Sequence, residues 1–85
     1  MIWITIEQIK CLQALDEAGS FTKAATALAK AKSAVIYSIN NLEEQVGFPL
    51  VDRTSYRPQI TNKGRDFLNE AAKLTAQYDH LIEKT

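Results

Sequence analysis

Ser33, Tyr37 and Asn40 follow one another at steps of four and three residues, with Ile36 and Asn41 beside them. At about 100° per residue these positions share one face of a helix. Hydroxyl and carboxamide groups exchange hydrogen bonds with base edges, Asn has a favoured two-bond match to adenine, and an exposed Ile can press on a thymine methyl. A merely solvated helix surface would more often carry Glu, Lys and Arg, which enter here only at Glu43 and Glu44, toward the far end. Lys32, at the start of the same segment, can reach phosphate or guanine. The face suits a major groove.

Ten Lys and Arg balance ten Asp and Glu, so the total charge exerts no cationic pull on a polyanion. The distribution does. Ala18 to Leu42 holds Lys23, Lys30 and Lys32 and no acid, and Arg53 to Arg65 holds Arg53, Arg57, Lys63 and Arg65 and no acid. All ten acids lie outside these two windows, which contain seven of the ten positive charges. A charge run is most often only a solvated surface. Segregated onto the segments around the polar face, this one points to phosphate binding.

Other chemistries find little support. His80 is the only histidine and has no carboxylate cluster or second ligand nearby in sequence, so it reads as solvated surface and not as an acid–base group or metal ligand. Cys11 sits beside an apolar stripe and reads as a small packed hydrophobe. Trp3 and Tyr56 lack the aromatic neighbours of a platform for single strands, and no metal or phosphate-loop motif is present. An enzyme, a cofactor and a metal are not expected. A lone cysteine makes no internal disulfide, no secretory signal opens the chain, and the apolar start from Met1 to Ile6 is far short of the roughly 20 residues a membrane span needs. A cytoplasmic chain without a membrane partner is expected.

Eighty-five residues, 46% apolar and 24% charged, make one domain near the lower practical size for a single core. From about Thr5 to Ala18, Ile6, Ile9, Leu12 and Leu15 recur every three residues, an amphipathic helix. Gly19 suits its left-handed end and Ser20 the cap of the next helix. Phe21, Ala25, Leu28, Val35, Ile39, Leu42 and Val46 then keep an unbroken heptad-like rhythm. One long helix is conceivable. Against it, the seam position between Leu28 and Val35 is Lys32, unfavourable unless its head reaches water. A turn within residues 29–33 would give helix-turn-helix spacing, yet it holds no glycine and alanine and lysine are good helix formers. Periodicity leaves both readings open.

Beyond Gly47, residues 50–53 and 58–60 read as two short strands of a hairpin, with Pro58 at an edge or strand start. Thr61 is the expected cap of a helix from Asn62 to Lys84, about 35 Å long at ~1.5 Å per residue. Part of it should project. Its stripe of Phe67, Ala71, Leu74, Tyr78 and Leu81 would stay wet unless a second copy covered it, so a homodimer through this helix is expected.

The run Gly19-Ser20-Phe21-Thr22-Lys23-Ala24-Ala25, then Leu28, Ala34-Val35, Ile39, and Leu42-Glu43-Glu44-Gln45-Val46-Gly47-Phe48-Pro49-Leu50-Val51-Asp52-Arg53 closely resembles the N-terminal domain of LysR-type transcriptional regulators. Ile60-Thr61 and Gly64 continue the match, which spans nearly the whole chain. The resemblance implies a mainly α fold: a winged helix-turn-helix of three helices and a two-stranded wing over residues 1–61, then a linker and dimerisation helix over 62–85. It also implies the turn that periodicity leaves open. The expected function is sequence-specific binding of double-stranded DNA, with a recognition helix of about residues 32–46 in the major groove and the wing near the minor groove or backbone. Lys32, Ser33, Ile36 and Tyr37 take the base-reading positions, joined by Asn40 from the polar face. Thr22, Lys23, Arg53, Arg57 and Lys63 are the candidates for backbone or minor groove, Arg53 because it matches the family's wing arginine.

This chain departs from the family in having Ala31-Lys32-Ser33 where Ser-Gln-Pro or similar is common, and Ile36-Tyr37 where Ser-Arg or similar is common. Its base chemistry should therefore differ, and Ala31 removes the usual hydroxyl cap of the recognition helix. Family members also carry a larger C-terminal ligand-binding domain, so the resemblance implies that the sequence stops within the linker helix and that any small-molecule inducer binds a domain not present here. The rival reading is a helical protein–protein interaction module without nucleic acid, built on the rhythm from Phe21 to Val46 and the stripe from Phe67 to Leu81.

Overall fold

In a computed structural model that describes residues 3–85, Thr5 opens the first helix, α1 (Ile6–Ala18). Its hydroxyl accepts from the Gln8 amide while the Gln8 side chain accepts from the Thr5 amide, both at 3.0 Å, so two otherwise orphaned donors are satisfied reciprocally. The first two residues of the unit expected over 1–61 lie outside the described residues. Gly19, at φ 80°, ends α1 by donating its amide to the Leu15 carbonyl. Ser20 then caps α2 (Phe21–Leu28) through the Lys23 amide. Both corner residues serve as their types require.

The bend that the heptad rhythm conceals falls at Ala29, which adopts the left-handed conformation (φ 54°, ψ 43°) and is the one non-glycine residue with positive φ among those described. The Ala29 amide bonds to the Thr26 carbonyl and the Lys30 amide to the Ala25 carbonyl, so the turn satisfies the end of α2 without a glycine. It takes Lys32 out of the apolar seam and leaves it exposed. A β-carbon in this region costs on the order of 1–2 kcal/mol. Ala29→Gly is therefore expected to stabilise the domain by about 0.5–1 kcal/mol, the gain being offset in part by unfolded-chain entropy. A rise in the urea midpoint at constant slope would register it.

Ala31, extended at φ −69° and ψ 144°, precedes α3 (Lys32–Val46) and makes no side-chain cap. The Ala34 amide turns instead to the Ala31 carbonyl at 3.0 Å. Thr5, Ser20 and Thr61 cap their helices by hydroxyl, so α3 alone begins bare. Ala31→Ser should raise stability by about 1 kcal/mol, seen as a higher melting temperature.

Val35, Ile39 and Leu42 are fully buried where α3 crosses α1 and α2, against Cys11, Leu12, Leu15, Ala24 and Ala25, and Leu50, Val51 and Leu68 close the same core. Val46, at the end of the expected stripe, is half-buried. Gly47 (φ 85°) ends α3. The wing is shorter than the sequence suggests: β1 (Val51–Asp52) pairs antiparallel with β2 (Gln59–Ile60), Val51 opposite Ile60 and Asp52 opposite Gln59. Pro58 lacks a ladder donor and falls just before β2. Leaving β1, the chain turns on Asp52, whose carboxylate accepts from both the amide and the hydroxyl of Thr54, holding the Asp52 carboxyl below its ordinary range.

Thr61 starts α4 (Asn62–Glu83) by accepting from the Gly64 amide and donating to the Pro49 carbonyl, which ties the helix start to the root of the wing. Beside the sequence stripe of α4 runs a second one, their centres separated by roughly 80° on a helix wheel. Gly64, Leu68, Ala71 and Thr75 are buried within the monomer, against α1 and the wing root. Phe67 is half-buried, while Leu74 (51% exposed), Tyr78 (39%) and Leu81 (64%) remain open. Ala71 thus belongs to the monomer's own packing. Polar ties fix α4 along α1: Arg65 grips Asp16 through two bonds, Gln13 donates to Thr75, and Lys10 pairs with Asp79 and lies over the Tyr78 ring. From Ala76 onward every residue is exposed, the part of α4 beyond the core.

Candidate nucleic-acid interface

Burying Val35, Ile39 and Leu42 turns the opposite face of α3 outward. Lys32, Ser33 and Asn40 are exposed, Tyr37 is 67% exposed, and Ile36 is half-buried beside them. All five expected base readers therefore lie on one helix. Thr22 and Lys23 are exposed on the first turn of α2, and Arg57 on the wing. Lys63, exposed on the first turn of α4, holds its ammonium 5.0 Å from the centre of the Phe48 ring.

Pairing thins the cations. Lys30 is bound to Glu7 and Arg65 to Asp16, whose carboxyl the guanidinium holds below the usual range. Lys23, Lys32, Arg57 and Lys63 make no ion pair among the described residues, so their charge is available to an external anion. Arg53 is a third case. Its guanidinium donates to Glu43 at 3.1 Å and to the Asn40 side-chain carbonyl at 2.8 Å, and lies 5.7 Å from the centre of the Phe21 ring. The wing arginine is thereby drawn onto the flank of α3 instead of standing clear in solvent.

Glu43 makes that possible. Its second carboxylate oxygen accepts from the amides of Leu50 (2.8 Å) and Val51 (3.1 Å), so one side chain joins α3 to the wing backbone and to the wing arginine. In sequence it read as the solvated far end of the helix. The signal available was its place with Arg53 in the run from Leu42 to Arg53. Tyr56, on the connection between the strands, is 98% exposed. His80 is exposed on α4, whereas Cys11 is fully buried and burial pushes its thiol above the ordinary range. No described helix is long and apolar enough to cross a membrane.

Three helices around one core, the third with a polar outer face and followed by a two-stranded wing and a long helix, define a winged helix-turn-helix domain. Residues 6–65 match the family model described as the bacterial regulatory helix-turn-helix protein, lysR family, and the chain belongs to that family. It is 36% identical over 78 residues to the HTH-type transcriptional regulator YhaJ of Escherichia coli O157:H7, covering 92% of this chain and 26% of that protein. Among solved structures, the DNA-binding domain of BenM in complex with catB site 1 DNA aligns with a TM-score of 0.87 at 32% identity, over 94% of this chain and 90% of that one. Vibrio fischeri DarR in complex with DNA aligns at 0.89 and 27% identity, over 96% of this chain and 28% of that one. The chain spans about a quarter of the length of the full-length relatives it matches.

Proposed function

We propose that this chain is the sequence-specific double-stranded-DNA-binding part of a cytoplasmic transcriptional regulator and acts as a homodimer through α4. The observation that carries the reading is the pairing of faces on α3: an inner stripe with no exposure and an outer one of Lys32, Ser33, Ile36, Tyr37 and Asn40. In this reading α3 lies in the major groove, Thr22 and Lys23 approach phosphate from α2, and Arg53, Arg57 and Lys63 meet the minor groove or backbone. Residues 1–61 form the binding unit and 62–85 the linker. Phe67, Leu74, Tyr78 and Leu81 supply the dimer contact, while Ala71, expected beside them, packs within the monomer. A small-molecule inducer would act on a C-terminal domain, as the length of the relatives suggests.

Fluorescence anisotropy with random-sequence duplex at low and high salt tests the reading. Binding that weakens steeply with salt is expected, from release of phosphate counterions. No binding even at low salt would overturn it in favour of a helical interaction module, and a monomer in sedimentation at high micromolar concentration would remove the dimer. Tyr37→Ala should cost about 1–3 kcal/mol at particular base positions while leaving affinity for random duplex nearly unchanged.

A further inference from the structure

Resting on the reading of α3 as a base-reading helix, we infer that the Glu43–Arg53 pair fixes the polarity of Asn40, so that Asn40 selects a base edge with acceptors and no amino donor, guanine or thymine, instead of adenine. A guanidinium has donors only, so the atom of Asn40 that meets Arg53 at 2.8 Å is its carbonyl oxygen, and the amino group is the end left for a ligand. The two-bond match to adenine needs both ends of the carboxamide at once, the carbonyl accepting from the adenine amino group. The second lone pair of that carbonyl lies beside a cation, which disfavours an approaching amino donor. Asn40 is thereby left to offer a base its amino donors alone, beside a cation whose other donors stay free for the backbone. Guanine presents two acceptors to such donors and thymine one beside a methyl group, whereas adenine sets its single acceptor, N7, next to an amino group that the donors repel.

Glu43 is the positioning residue. Its carboxylate holds Arg53 at 3.1 Å and is itself held by two wing amides, with only 15% of its side chain exposed. Phe21 lies under the guanidinium. Arg53 is therefore oriented toward Asn40 before any ligand arrives.

Duplexes selected from a random pool by the parent chain, Asn40→Ala and Glu43→Gln distinguish the cases. The base position whose preference disappears in Asn40→Ala is the one Asn40 reads. There the parent should take guanine or thymine over adenine by about tenfold. In Glu43→Gln the carboxamide can still accept from the wing amides but no longer carries the charge that holds Arg53, and adenine should gain about fivefold at that position alone. A role confined to wing stability would alter affinity at all positions together. If Glu43→Gln loses its cooperative melt, Arg53→Met, selected at lower salt, should show the same gain. Adenine or cytosine preferred by the parent, no position relaxed in Asn40→Ala, or an unaltered ratio in folded Glu43→Gln or, in its place, Arg53→Met overturns the inference. Enrichment of no sequence by the parent sinks the DNA-binding reading as well, an outcome distinct from the other three.

Discussion

Gly64→Ala is expected to destabilise the domain by about 2–4 kcal/mol, although an alanine in a helix interior ordinarily stabilises it by about 1 kcal/mol relative to glycine. A β-carbon at Gly64 would stand 2.3 Å from the Leu50 carbonyl oxygen and 2.9 Å from Cγ2 of Ile60. The first of these is backbone and cannot swing aside. The Leu50 carbonyl accepts from the Thr61 amide at 3.0 Å, and the Leu50 amide is held by Glu43. The Thr61 hydroxyl adds a bond to the Pro49 carbonyl. Relief would require α4 to lift off the wing root and break some of these bonds. For a domain of this size each kcal/mol lowers the melting temperature by about 4–8 °C, so a fall of at least about 8 °C in thermal circular dichroism is expected. A melting temperature equal to or above the parent's would show that α4 does not press on Leu50 as described.

That contact also marks the limit of what the sequence discloses. Caps at Ser20 and Thr61 and the left-handed Gly19 were legible because each rests on a local rule linking residue type to backbone conformation. The bend at Ala29 was not, since tertiary packing of Ala24, Ala25 and Val35 holds an alanine where local propensity favours a continued helix. Family resemblance supplied the turn that periodicity could not. On α4, an apolar repeat identified the helix and left its two faces merged, because burial of Leu68 and Thr75 depends on where α1 lies. The polar face of α3 was readable from spacing alone. Glu43 was not, as its partners Leu50, Val51 and Arg53 come from a hairpin whose return onto the helix is a long-range event.

Arg53→Ala is expected to weaken binding to random and preferred duplexes alike by about 10–100-fold at ~0.1 M salt and to flatten the salt dependence by about one unit per protomer. Two effects add. The variant loses a cation with donors left over for phosphate, and it also unmasks Glu43, whose carboxylate remains anchored by the Leu50 and Val51 amides and then faces the phosphates without a counter-charge. Folding should change little, because an ion pair with its arginine side chain 39% exposed contributes at most about 1 kcal/mol. Melting temperature and affinity therefore separate this variant from Gly64→Ala. Arg53→Lys keeps the charge but not the planar fork that reaches Glu43 and Asn40 together, so it should restore most of the salt slope without restoring the base preference beside Asn40. Affinity and salt slope both equal to the parent's in Arg53→Ala would remove the wing from the interface and leave α2 and α3 to hold the duplex alone.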